Sequence, residues 1–345
     1  MSQYSFSFKP NSDDSEAIAM VSKDSKDNKG KFIYLNENDD TRKSIEELED
    51  LFYEYAKHKQ IKQRDYDELL DALEQNERPE EKRLQFIYDG FKTHLKKTGE
   101  VNLRNSTLEV CPYIGHNDDK RKSRESILVS GANGSGKSFF VGSYAEKWQK
   151  LFPKSPIYLL SNKPVEDEPC FKKLKRLHQI PLTQKRLIEI VGKDEFISSK
   201  KIAEDDDEDE EDDKEGYAPY QYFVSKTGQS LVIADDFESD GKIEKMVRTI
   251  INSILRVGRA KRVYCIIVSH TLCGGQKTKT FFTECDAFCL FGRSGISPYH
   301  LKYCLKNYTS MNEHQITKIM DTNSRWTYIH KSPKYVIEEN KLWLY

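Results

Sequence analysis

The sequence predicts an α/β fold, a mainly parallel β-sheet flanked by helices, with a small and mostly helical N-terminal module in front of it. Three observations predict it. Five short apolar runs beyond residue 101, SILVS, PIYLLS, SLVIADD, VYCIIVSH and AFCLFG, alternate with amphipathic helical patterns, as strands do when crossover helices cover both faces of their sheet. The first run leads straight into a glycine-rich stretch, GANGSGKS. The third ends in two adjacent carboxylates, Asp235 and Asp236.

The N-terminal module is expected over residues 1–100. Two apolar stretches in its polar beginning, AIAMV and KFIYL, can pair as a hairpin across SKDSKDNKG. Ser44 is the expected N-cap of a first helix with Glu47 three residues on, and Ile45, Leu48, Leu51, Phe52 and Tyr55 share its apolar face. A second helix is expected from Asp65, with Tyr66, Leu69, Leu70 and Leu73 inward. A third begins near Pro79, turns Leu84, Ile87, Tyr88, Phe91 and Leu95 inward, and stops at Gly99.

The second domain is expected over residues 101–345. It is interrupted at about 203–216 by an acidic insertion whose core, EDDDEDEEDD at 204–213, is ten acids in a row. Such a run repels itself and has nothing to bury, so disorder is expected there. The chain carries a net charge of −1, and leaving out these ten acids gives +9 for the remainder. A basic folded part is compatible with a polyanionic partner, and equally with an ordinary soluble surface.

Composition excludes some classes. The longest apolar run, VYCIIV, is far too short to span a bilayer, and MSQYSFSFKP lacks the basic and apolar segments of a secretory signal. The seven cysteines include no CxxC pair, which favours reduced thiols over a disulfide framework or a zinc site.

GANGSGKS at 131–138 fits GxxxxGK[ST] and stands where that motif needs to stand, between a strand and a helix. Gly131, Gly134 and Gly136 let backbone N–H groups wrap a phosphate at the positive end of the following helix. In that motif Lys137 reaches the β- and γ-phosphates of a bound nucleotide, and the Ser138 hydroxyl ligates Mg²⁺. The nucleotide-binding stretch is thus Gly131, Ala132, Asn133, Gly134, Ser135, Gly136, Lys137, Ser138 and Phe139. The helix after it places Phe140, Tyr144, Trp148 and Leu151 on one face and ends before Pro153.

A carboxylate at a second strand tip completes such a site. Asp235 has the position of the second metal contact, Asp236 can polarise an attacking water, and Glu238 is the reserve base. A solvated acidic turn is the alternative. Next comes a helix with Ile243, Met246, Val247, Ile250, Ile251, Ile254 and Leu255 inward and Lys245, Arg248, Asn252 and Arg256 outward. Its basic face serves either solubility or contact with phosphates. A GTPase reading is weakened because NKPV at 162–165 lacks the aspartate of NKxD and precedes Asp235. A small-molecule kinase needs no second carboxylate at Asp236.

At this point the chain resembles a known family. GANGSGKS, LVIADDFE, LRVGRAKRVYCIIVSHTL and KTFFTECDAFCLFGRS look like the genome-packaging ATPases of large nucleocytoplasmic DNA viruses, within the FtsK/HerA superfamily, over roughly residues 125–345. The resemblance implies a RecA-like sheet with the P-loop and Asp strands adjacent, ATP and Mg²⁺ as cofactors, and a homo-oligomeric ring working on double-stranded DNA. A capsid or portal-region protein is a further implied partner, and the host's viral factory or the virion the implied location. The implied activity is DNA translocation by ATP hydrolysis. A helicase or other DNA-processing ATPase on the same fold and an ATP-dependent assembly switch are the alternatives. Where the family carries glutamine after the sensor strand this chain has His270, expected to touch the γ-phosphate or its attacking water, or else to cap a strand at the surface. Arg259 is the first candidate for an arginine finger and Arg293 the second.

Overall fold

The computed structural model describes residues 4–10, 15–22, 31–37, 49, 52, 53, 55–57, 59–74, 77–96, 100–102, 109–112, 124–192, 218–238, 241–293 and 295–345. The acidic run at 204–213, and Ser44, Ile45, Leu48 and Leu51 of the first expected helix, lie outside them.

The first hundred residues supply strands as well as helices. Strands β1 (Tyr4–Ser7), β2 (Glu16–Ser22) and β3 (Lys31–Glu37) form antiparallel pairs, β2 with β3 as the expected hairpin. Helices α1 (Gln63–Glu74) and α2 (Lys82–Lys96) follow. They bury Leu69, Leu73, Leu84, Tyr88 and Phe91 around Phe52 in a small cluster of their own. Arg83 joins the two helices by two hydrogen bonds to the Asp65 carboxylate, 2.6 and 2.7 Å long. The chain then divides between two sheets. Strand β4 (Glu100–Asn102) joins the edge of the large sheet, while β5 (Glu109–Pro112) pairs with β2 and closes the small sheet in the order β1-β3-β2-β5.

The large sheet has ten strands. Its parallel part contains the five expected runs as β6 (Ser126–Ser130), β7 (Ile157–Leu160), β9 (Ser230–Ala234), β10 (Val263–Ser269) and β11 (Ala287–Leu290), with β8 (Leu177–Ile180) added at the edge. The order is β11-β6-β10-β9-β7-β8, all parallel. An antiparallel meander, β12 (Thr327–His330), β13 (Tyr335–Glu338) and β14 (Lys341–Leu344), extends it from β11 and ends on β4.

Alternate residues of these strands face opposite layers. Val232, Ala234, Cys265 and Ile267 face α4 (Gln184–Val191), α5 (Gly241–Val257), α6 (Gln276–Glu284), α7 (Pro298–Tyr308) and α8 (Glu313–Met320). Leu231, Ile233, Tyr264 and Ile266 face α3 (Lys137–Leu151) together with Ile18, Ala19, Ile33 and Val110 of the small sheet. The small sheet is therefore part of the second covering layer. Met246, Val247, Ile250, Ile251, Ile254 and Leu255 form the buried stripe of α5 as expected, with Ile243 half-buried at its start. At roughly 1.5–3 kcal/mol for each such side chain, this stripe is what holds α5 to the sheet.

One expectation needs correction. The P-loop strand β6 and the Asp strand β9 are not neighbours, because β10 lies between them and pairs with both. The tip of β10 therefore opens between the phosphate loop and the aspartates.

Candidate functional site

Three parallel strands deliver the site at one end of the sheet, where the C-terminal tips of such strands meet ligands. β6 delivers the loop 131–136. Gly134 and Gly136 have φ of 74° and 104°, left-handed values that strain a residue with a Cβ. Gly131 is needed for room, since a Cβ there would lie 2.6 Å from Phe291 Cβ. Lys137 opens α3 and folds back into the loop, where its ammonium donates to the Gly131 carbonyl at 2.7 Å and the Ala132 carbonyl at 2.8 Å. Burial, despite the nearby Asp235 carboxylate, holds its pKa below the ordinary lysine value.

β9 delivers Asp235 and Asp236. Asp235 is buried, 4% exposed, and its side chain makes no hydrogen bond or ion pair among the described residues. Burial pushes its pKa up to about 6. Asp236 turns away from it through a left-handed backbone, φ 54°, which points the two carboxylates at different neighbours. Lys163, just past β7, places its ammonium 3.2 Å from Asp236 Oδ2 and 3.8 Å from Glu168. Burial lowers the Lys163 pKa, yet its hydrogen bond to Asp236 and the surrounding carboxylates raise it overall.

β10 delivers His270 between them. Its Nδ1 is 3.2 Å from Lys137 Nζ, and its Nε2 is 3.6 Å from Asp236 Oδ1. An ammonium can only donate, so Nδ1 is the acceptor and the ring proton sits on Nε2, facing Asp236. Burial first, and the Lys137 charge second, depress the His270 pKa, which keeps this ring neutral near pH 7.

Glu238 is engaged elsewhere. Its carboxylate accepts from the Ser269 hydroxyl at 2.6 Å and from the His270 backbone N–H at 3.0 Å, with Arg248 at 3.7 Å. It ties the β9 tip to the β10 tip. Arg248, expected on the outer face of α5, instead turns inward, pairs with Glu244 at 2.9 Å and lies over the Phe237 and Phe281 rings.

The arginine candidates fall at opposite ends of the sheet. Arg259 is paired with Asp286 at 2.9 Å, and Asp286 holds the backbone N–H of Ser126 at the start of β6. Five strand residues separate that end from the loop, about 16 Å at the usual rise. Arg293 lies on the loop after β11 that packs against Gly131 through Phe291, and its guanidinium donates to the Asn323 carbonyl at 3.1 Å.

The donor set fits magnesium. Among the described residues no three His, Cys, Asp or Glu side chains gather as a metal cage. Mg²⁺ in phosphate-binding sites takes one or two protein oxygens, with waters and phosphates supplying the rest. The unpaired, buried Asp235 carboxylate and the half-buried Ser138 hydroxyl at the start of α3 are donors of that kind.

Sequence reading missed Lys163 and the inward Arg248. In the sequence Lys163 stands inside NKPV, a stretch that matches only part of a base-reading motif. Its position after the strand beside β9 is the signal that marks it.

No protein-family model matches the chain. Uncharacterized protein V3 of Sputnik virophage is 29% identical over 222 residues, which make up 63% of this chain and 76% of that protein. Among solved structures, the genome packaging NTPase B204 from Sulfolobus turreted icosahedral virus 2, in complex with AMP, aligns with 63% of this chain and 98% of its own. The TM-score is 0.37 and the identity 11%. The pCW3 conjugation coupling protein TcpA, in its monomer form with ATPγS, aligns with 74% of this chain and 81% of its own, at a TM-score of 0.37 and 11% identity. The large sheet is mostly parallel and flanked by helices, with the GxxxxGK[ST] loop at the tip of β6.

All seven cysteines are unpaired thiols. No helix among the described residues is long and apolar enough to cross a membrane.

Proposed function

We propose that the chain is a Mg²⁺-dependent ATPase that translocates double-stranded DNA, as a viral genome-packaging motor does. One observation carries the ATPase reading. Three strand tips bring Lys137, His270 and Asp236 into a single line of contacts, 3.2 and 3.6 Å long, with an unpaired buried carboxylate, Asp235, beside it.

The residues divide the work as follows. Lys137 exchanges the Gly131 and Ala132 carbonyls for phosphate oxygens, which are charged and therefore stronger acceptors. Ser138 and Asp235 hold Mg²⁺, which when bound neutralises charge on the β- and γ-phosphates. Asp236 takes the proton of the attacking water, and its left-handed backbone directs it away from the metal carboxylate. His270 keeps its Nε2 proton toward Asp236 and reports on Lys137 through Nδ1. Glu238 acts as a positioning residue, holding the His270 backbone. Arg259, at the far end of its own sheet, can serve only a neighbouring subunit's nucleotide, which fits a ring. Arg293 stands at the loop end of its own subunit.

Double-stranded DNA as partner is supported by the +9 carried outside the acidic run and by the sequence resemblance to packaging ATPases. Phosphate gripping without base reading suits a motor that moves any sequence. The test is the ATPase rate of the full chain with and without double-stranded DNA, coupled to displacement of a roadblock from a duplex. DNA-stimulated turnover with displacement and intact duplex is expected. Strand separation in a fork assay points to a helicase, and ATP binding without DNA-stimulated turnover points to an assembly switch.

A further inference from the structure

Lys163 combines a fixed backbone with a loosely held ammonium. Its N–H donates to the Ser161 hydroxyl at 3.1 Å, and its carbonyl accepts from the Gln179 side chain at 2.7 Å. The same Gln179 amide donates to the Ser161 carbonyl at 3.3 Å, and the Asn162 side chain accepts from the Leu182 N–H at 3.0 Å. Pro164 follows, which restricts the backbone of the residue before it. Residues 161–163 are thus clamped to β8 and to the stretch just after it. The Lys163 side chain, by contrast, is 47% exposed, with its ammonium 3.2 Å from Asp236 and 3.8 Å from Glu168. Half-exposed ion pairs of this kind are weak ties.

β6 and β7 bracket β10 and β9 in the sheet, so Lys137 and Lys163 stand on either side of His270 and the two aspartates. The ammoniums are within electrostatic reach of one another, since the Lys163 charge adds to the burial that holds the Lys137 pKa down. Between them, Asp236 faces Lys163 with Oδ2 and His270 Nε2, at 3.6 Å, with Oδ1. A carboxylate paired with an ammonium is a weaker base than the same carboxylate alone. Asp236 therefore takes a proton from water readily only when Lys163 is drawn off it. A γ-phosphate is the group able to do so, because it carries more charge than a carboxylate and spreads it over three equatorial oxygens in a loose transition state.

We propose that Lys163 is a second catalytic cation acting in cis, which leaves Asp236 for an oxygen of the γ-phosphate as the transition state forms. The water oxygen bonds the γ-phosphorus, and its proton passes to the Asp236 carboxylate. The bond from the γ-phosphorus to the bridging oxygen breaks, and its electron pair stays on the β-phosphate. One movement of Lys163 thus frees the base and supplies charge where it develops. This rests on the ATPase reading and deepens it, because neither the phosphate loop nor the strand-tip aspartates call for a lysine after β7.

The experiment compares Lys163→Met with the wild-type full chain at pH 8.5, well above the Asp235 pKa of about 6. Mg-ADP has no γ-phosphate, and its affinity is expected to be no weaker in the variant, which also shows that the variant is folded. Mg-AMPPCP is expected to bind about fivefold or more weakly, through loss of a charge-assisted hydrogen bond. Trapping of ADP with aluminium fluoride, a mimic of the transferring phosphoryl group, is expected to be lost, and kcat to fall about a hundredfold or more. Mixing Lys163→Met with Lys137→Ala subunits is expected to restore nothing, since every subunit then lacks one of the two cations from its own site. Equal effects on Mg-ADP and Mg-AMPPCP, unimpaired trapping or turnover, or recovery on mixing overturns the cis cation. A wild-type chain that binds neither nucleotide overturns the ATPase reading and this one with it.

Discussion

Lys163 Nζ stands 3.2 Å from Asp236 Oδ2, so the carboxylate proposed to activate water is already held by a cation from the neighbouring strand. The same lysine lowers the pKa of Asp235, against the burial that raises it to about 6. Removing Lys163 therefore has a direction. Mg-ATP binding needs Asp235 ionised, so affinity falls as pH drops through about 6, and in Lys163→Met this fall is expected to begin at higher pH. Binding titrations from pH 5 to 8 check it. An acid limb that stays in place in the variant separates Lys163 from the metal carboxylate.

Asp235 also has a stability signature. Its pKa lies above the ordinary value of 3.8, so the folded state binds the proton more tightly than the unfolded chain. Stability consequently falls as pH rises from 3.8 to about 6, and the penalty is fully present above that, at most about 3 kcal/mol. Asp235→Asn is expected to raise Tm at pH 7.5, to gain little at pH 4, and to lose Mg-dependent nucleotide binding. A variant no more stable than wild type at pH 7.5 would falsify this account of the buried carboxylate.

Glu238 is expected to matter through geometry. Glu238→Ala leaves the His270 N–H without its acceptor, while the Ser269 hydroxyl turns to the Thr271 carbonyl at 2.8 Å, a cost of about 1–2 kcal/mol. The denaturant midpoint should drop accordingly, and turnover should fall with it. Glu238→Gln retains one acceptor oxygen and should lie between. If the alanine variant keeps its midpoint and loses only turnover, Glu238 belongs among the reacting groups.

Arg259 offers the cleanest separation of folding from catalysis. Its ion pair with Asp286 is at the surface, with the arginine side chain 64% exposed, and contributes less than about 1 kcal/mol. Arg259→Ala should melt within a few degrees of wild type while losing most turnover. Mixing it with Lys137→Ala subunits should restore some activity, because each supplies what the other lacks. Confirmed mixed rings without recovery remove Arg259 as a finger, and Arg293→Ala is then the variant to mix.

The legible part of the protein was its local part. β6, β9, β10 and β11 are continuous apolar runs, and GANGSGKS fixes the turn after β6, so the phosphate loop and the strand ending in Asp235 could be read residue by residue. Strand order could not. That β10 separates β6 from β9 depends on pairing between distant segments, and it alone explains why His270 reaches both Lys137 and Asp236. Arg248 shows the same limit on a smaller scale. Its helical phase pointed outward, and Glu238 and Glu244 drew it inward. β8, with only Leu177 and Ile180 apolar among its four residues, carried too little pattern to register. The meander β12–β14 was missed because antiparallel neighbours need no helix between them to announce the next strand.

The division of one short segment between two sheets has a mechanical meaning. Glu100–Asn102 is zipped to β14, and Val110 N–H bonds the Glu339 carbonyl at the turn between β13 and β14. The segment is stapled at both ends to a single hairpin. Tension applied to α1 and α2 thus enters the protein through that hairpin and crosses β12 and β11 to reach β6, the strand that carries the phosphate loop. Each step is a ladder of main-chain hydrogen bonds, so the sheet itself links the α1–α2 pair to the phosphate loop.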